Sequence, residues 1–143
     1  MKTISIQKDF SEFPGLRNCD ISENSGEHFY HQVLNNAFKE AYSNNEKLSV
    51  DLDFTAGYAS SFLDQAFGCL VYDFTLKIVK DNVIIISTQE PHWKDMIENK
   101  TYPQWESRRS KNEPAKVTIK HNAWYRLIGN NLEHKIWEQP AIV

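Results

Sequence analysis

The sequence predicts an α/β fold: a sheet with parallel strand pairs covered by helices, followed by a C-terminal extension that contains a β-hairpin. Three observations predict it. Strand-like and helix-like apolar patterns alternate along residues 1–99, and that alternation belongs to parallel sheets joined by helical crossovers. The run Val83-Ile84-Ile85-Ile86 is β-branched throughout, as in a strand covered on both faces. After Lys100 the texture changes to "TYPQWESRRSKNEPAK", polar, aromatic and punctuated by prolines, and then to two alternating segments around "GNN". Those two segments form a hairpin pattern.

Each element follows in order. Residues 3–7 (TISIQ) alternate polar and apolar and read as the first strand. Pro14-Gly15 marks a turn in the next loop. Ser25 is placed to N-cap a helix from Gly26 to about Tyr42, with Glu27 in its first turn. Phe29, Val33, Leu34, Ala37, Phe38 and Ala41 recur at helical spacing and make one apolar face. Residues 48–52 form a short strand, and "DFTAGY" is the loop after it. Phe62, Leu63, Ala66, Phe67, Leu70 and Val71 give the second helical stripe. Gly68 inside it costs about 1 kcal/mol relative to alanine, which close packing against the sheet or another helix would justify. Residues 83–87 form the third strand, and Pro91 suits the first turn of a third helix ending near Asn99. Residues 117–128 and 132–137 form the hairpin. The expected organisation is an α/β domain over residues 1–99, with a basic, Trp-rich extension over residues 100–143 packed on it.

A chain of 143 residues suits one domain with one sizeable core. Its apolar and charged fractions are those of a soluble globular protein, and its few Gly and Pro exclude low complexity. No apolar run approaches the roughly 20 residues that span a bilayer, and the N-terminus lacks the apolar segment of a signal peptide. Cys19 and Cys69 form no C-x-x-C. The expectation is therefore a reducing cytoplasm, no disulfide framework and no membrane. The net charge of −3 hides an asymmetry, because residues 100–143 hold eight Lys/Arg against four acids. Such a division points to two functional regions.

The stretch "GYASSFLDQAFGCLV" (residues 57–71) sets two adjacent serines before the second helical stripe. Ser61-x-x-Asp64 matches the capping box, and Ser60 is equally placed as the cap. A nucleophilic serine needs a base and the strained G-x-S-x-G elbow. The local string is Y-A-S-S-F and no histidine is placed against it, so acyl transfer is the weakest reading. A phosphate on either serine would meet free N–H groups and partial positive charge at a helix N-terminus.

At these residues the chain resembles a known family. "SGEHF", "LSVDLDFTAGYASSFLDQAFGCLV" and "VIIIS", in this order, resemble the STAS-like domain family of unknown function. That family is a bacterial and archaeal group, distantly like the sulfate-transporter and anti-sigma-factor-antagonist domain. The resemblance covers residues 1–99 and implies a sheet with helices on it and a non-catalytic signalling role. In anti-sigma-factor antagonists, a serine at the start of the corresponding helix is phosphorylated by a kinase-like ATPase, which binds the unphosphorylated form. Ser60 and Ser61 fall at about the matching place. The resemblance thus implies a phosphosite there and a partner surface of Asp53, Tyr58, Ser60, Ser61 and Asp64. Antagonists carry small residues after the serine, whereas Phe62-Leu63-Asp64 follows here.

Other constellations read more plainly. Glu27, His28 and His31 share the first predicted helix, and His at i and i+3 can bind a metal. No thiol or further ligand is linked to them by a sequence motif, so solvated surface residues are the favoured reading. Asp51 and Asp53 alternate at a strand end, where paired acids hold Mg²⁺ or move protons. Facing solvent or capping the loop is the plainer role. No G-x-x-x-x-G-K-[ST] or G-x-G-x-x-G is present. No metal and no cofactor are expected. Trp105, Arg108, Arg109 and Lys111 form a basic aromatic patch that can stack bases and hold phosphates, or pack on the acidic first part.

The expected function is a non-catalytic regulatory protein-binding module resembling an anti-sigma-factor antagonist. Its partner is a kinase-like ATPase or another regulator, and apolar tail residues also allow a homodimer. The alternative is a nucleic-acid-contacting protein that uses the tail.

Overall fold

Three short strands, β1 (Lys2–Ser5), β2 (Leu48–Asp51) and β3 (Val83–Ile86), pair in parallel, with β2 in the centre, in a computed structural model that describes residues 1–140. Residues 141–143, the end of the expected extension, lie outside the described residues. Ile4, Val50 and Ile85 stand in register on one face and are buried. The other face carries Thr3, Ser49 and Ile84, of which Thr3 and Ile84 are exposed. The expectation that β3 is covered on both faces is therefore corrected. It is an edge strand, and helices pack on the Ile85 side, so only alternate residues are buried.

Between β1 and β2 the chain forms α1 (Ile6–Asp9), α2 (Gly26–Phe29), a π-helical turn (Tyr30–Leu34) and α3 (Asn35–Ser43). The last three make the one helical run expected from the apolar spacing. Ser25 caps it, its Oγ accepting the His28 N–H at 3.1 Å. The first strand is shorter than expected, because Ser5 instead caps α1 by accepting the Lys8 N–H. After β2 come α4 (Ser60–Phe74) and α5 (Leu76–Asn82). Sequence periodicity misses the break between them, at Thr75 with φ 73°. The third helix does not stop at Asn99. α6 (His92–Met96), a second π-helical turn (Ile97–Thr101) and α7 (Tyr102–Ser110) run on as one. The widened turn precedes Pro103, which cannot donate a helical N–H. The change of texture at residue 100 thus falls within a helical run. The hairpin forms as β4 (Trp124–Ile128) and β5 (Asn131–Lys135), antiparallel.

Phe29 and Phe62 stack with centroids 5.7 Å apart, and Phe38 meets Phe74 at 4.7 Å. These pairs join α2–α3 to α4. Gly68 explains itself, since a Cβ there would overlap the indole of Trp105 on α7. Gly68→Val should therefore overpack this contact and cost about 1–3 kcal/mol, a fall in Tm of roughly 2–10 °C. A calorimetric Tm unchanged or raised would contradict the close α4–α7 packing.

Candidate functional site

The surface expected at the start of α4 is partly there. Ser60 is exposed and Ser61 half-buried, but neither is the cap. The N-cap is Ala59, with no side-chain cap bond, so the capping expectation is corrected. Asp64 is drawn away from the capping box. Its carboxylate accepts from Arg17 at 2.8 Å and from the Trp105 indole N–H at 3.2 Å. The first N–H groups of α4 are thus left without a side-chain acceptor. Ser60 borders an open groove of about 340 Å³ with Arg17, Asp64, Lys100 and Gln104.

Asp53 and Tyr58 do not join this surface. Asp53 is buried, and its carboxylate accepts the backbone N–H groups of Thr88 at 3.2 Å and Gln89 at 2.9 Å. Asp51 Oδ1 accepts the Asp53 N–H, and the Tyr58 hydroxyl donates to the Leu52 carbonyl at 2.6 Å. Asp53 thus ties the loop after β2 to the loop after β3, while Asp51 holds the start of the first loop on itself. The burial that turns the Tyr58 hydroxyl inward also raises its pKa.

The basic patch is mostly a packing element. Trp105 is buried against Gly68. The Arg108 guanidinium covers its ring at 4.0 Å and donates to the carbonyls of Glu113 and Pro114. Arg109 pairs with Glu106. Lys111 is exposed.

A centre that sequence reasoning passed over lies at Glu27, expected at the surface and found buried. Its Oε1 accepts from Asn18 Nδ2 at 3.3 Å, the Cys19 N–H at 3.0 Å and the Thr118 hydroxyl at 2.6 Å. Its Oε2 accepts the Thr118 N–H at 3.0 Å and meets His121 Nε2 at 2.6 Å. Burial would raise the carboxyl's pKa, but the bonds from His121, Thr118 and Cys19 hold it well below the usual range. Cys19 Sγ lies 3.2 Å from Ser25 Oγ, and burial raises the thiol's pKa. His31, also expected as a solvated residue, stacks on His121 with centroids 3.8 Å apart and meets the Trp124 edge at 4.4 Å. Burial, with His121 beside it, lowers its pKa to about 3. His28 alone of the three is exposed.

Two further buried polar groups hold the tail. Asn35 donates to the Tyr125 carbonyl at 2.9 Å and accepts the Tyr125 N–H at 3.0 Å. Asp73 accepts from Arg126 Nε at 2.6 Å and from the Tyr30 hydroxyl. No pattern within 20 residues of Glu27, Asn35 or Asp73 shows these tail partners. Only the polarity of Asn35 and Asp73 within apolar stripes was available as a signal.

Residues 25–93 match the family described as a STAS-like domain of unknown function (DUF4325). No curated protein and no solved structure matches the chain. The matched segment begins at the cap Ser25 and contains Glu27, Asn35 and Asp73, while Thr118, His121, Tyr125 and Arg126 lie outside it. Over residues 25–93 the chain is thus similar to the STAS-like domain family, whose function is unknown.

Proposed function

We propose that the protein is a non-catalytic regulatory module that docks a kinase-like ATPase or another regulator through the start of α4. The observation that carries this reading is the exposure of Ser60 at a helix start with no side-chain cap, on an open groove that also holds Arg17 and Lys100. Free helical N–H groups and two cations suit an acidic partner group or a phosphate on Ser60. Asp64 lies one turn on from Ser60, so a phosphate there would repel its carboxylate and compete for Arg17. The docking surface is therefore Ser60, Ser61 and Asp64, without Asp53 and Tyr58. The two acids at the end of β2 hold backbone N–H groups, which supports a binding role over acid–base chemistry. The nucleic-acid reading needs Trp105 as a stacking platform, and Trp105 is inside.

The test is phosphosite mass spectrometry on protein from native cells, with partner affinity measured for two variants. Ser60→Ala should bind as the native chain does. Ser60→Asp should bind at least about tenfold more weakly through like-charge repulsion. An unmodified Ser60 together with equal affinities for both variants would remove the switch.

A further inference from the structure

The geometry points to a divalent-metal site of the class that takes Zn²⁺, formed by Cys19 Sγ, a Glu27 carboxylate oxygen and His121 Nε2. One ligand atom from each lies within 4.8 Å of the other two. The three arrive from separate segments: the loop before α2, the first turn of α2, and the strap that leads to β4. Thiolate, imidazole and carboxylate are a donor set for a borderline-soft ion with tetrahedral coordination. Metal–ligand bonds of about 2.0–2.3 Å place neighbouring ligand atoms about 3.3–3.6 Å apart. The His121–Glu27 separation is 2.6 Å, so the ring withdraws by about 0.7 Å when an ion replaces the shared proton.

The supporting shell is already built. Glu27 Oε1 holds three donors and Oε2 holds the Thr118 N–H, which fixes the carboxylate and leaves the lone pair of Oε2 that now meets His121 to face the ion. The Ser25 hydroxyl sits on the Cys19 sulfur, and the His31 face and Trp124 edge pack against the His121 ring. Such outer partners orient ligands and tune affinity. On binding, the Cys19 thiol gives its proton to solvent, and the proton between His121 Nε2 and Glu27 passes to Nδ1, or to solvent where Nδ1 already carries one, so that a neutral imidazole meets the ion. Thiolate and carboxylate then cancel the charge of the dication, so the half-sunken site is neutral. Cys19 also borders an open groove with Ser22, Glu23, His28 and Ile119. That groove gives the ion its route and the fourth position its water.

Co²⁺ added to the reduced, chelator-treated full-length protein tests this. One equivalent should bind with a thiolate-to-cobalt charge-transfer band and the visible bands of a tetrahedral ion. Cys19→Ser, which keeps a hydrogen-bonding side chain beside Ser25, should lose the charge-transfer band. Cys69→Ala should keep it. His121→Gln should weaken Zn²⁺ binding by at least about tenfold. Absence of the band in the native chain, or its persistence in Cys19→Ser, would overturn the site. Neither result touches the docking role of Ser60.

Discussion

Replacing Arg126 with methionine is expected to lower the unfolding free energy by about 3–5 kcal/mol. Asp73 is buried, and burial already raises its pKa, with Arg126 as the main opposing influence. The guanidinium also lies over the rings of Trp137 at 4.4 Å and Tyr72 at 5.1 Å. Methionine keeps much of that apolar contact and removes the charge. The stranded carboxylate then keeps the Tyr30 hydroxyl and the Trp124 indole as donors, and partial protonation relieves only part of the cost. For a chain of this size the loss is a fall in Tm of roughly 6–20 °C. Combining Arg126→Met with Asp73→Asn should recover much of it, because the uncompensated charge is gone while Tyr30 keeps an acceptor. Thermal denaturation of both single variants and the double variant gives the coupling energy directly. A single-variant cost below about 1 kcal/mol would show the pair to be a solvated surface contact.

Glu27→Gln, measured with chelator present, is expected to cost about 2–5 kcal/mol and to free the strap that carries Thr118 and His121. The native carboxylate is surrounded by donors alone: two backbone N–H groups, an amide, a hydroxyl and an imidazole. Glutamine keeps the shape but turns one oxygen into an NH₂ group. A backbone N–H, that of Cys19 or that of Thr118, then faces a donor, its neighbours must turn to accept, and each unmet buried donor costs about 1–3 kcal/mol. The strap should loosen before the body melts. Hydrogen exchange at the Thr118 N–H should therefore rise more than exchange at Val50 in the central strand. Equal rises at both positions would mean that Glu27 supports the whole fold without tethering the tail.

These centres show what the sequence can and cannot reveal. Ser25 was legible as a cap because cap and acceptor are three residues apart. The hairpin was legible because its turn residues, Gly129 and Asn130, sit between the strands they join. Gly68 was legible as a close contact, though not its partner. Glu27 was not legible, since its tail partners lie 91 and 94 positions away. The same "SGEHF" reads identically whether the helix faces water or a strap. No motif links Cys19 and His121 to Glu27, from which they stand eight and 94 positions away, yet the fold brings the three together. The serine cap failed for a related reason. Ser61-x-x-Asp64 is a sound local pattern, but Arg17 and Trp105 win Asp64 from outside the helix. For β3, apolar content could not reveal that the strand stands at the edge of its sheet.

The placement of the three tail anchors has a consequence for the order in which the molecule is completed on the ribosome. Glu27 is synthesised about ninety residues before Thr118 and His121. At 5–20 residues per second it is without them for roughly 5–20 s. Asn35 waits for Tyr125 over a similar span, and Asp73 for Arg126 over a shorter one. The nascent α/β body must therefore hold an ionised carboxylate and two other polar groups open to water while its aromatic core collapses. Closure awaits loops that span most of the chain, which makes it a late and slow event. Folding of these residues ends at Glu27, a group made about ninety residues before its last partners.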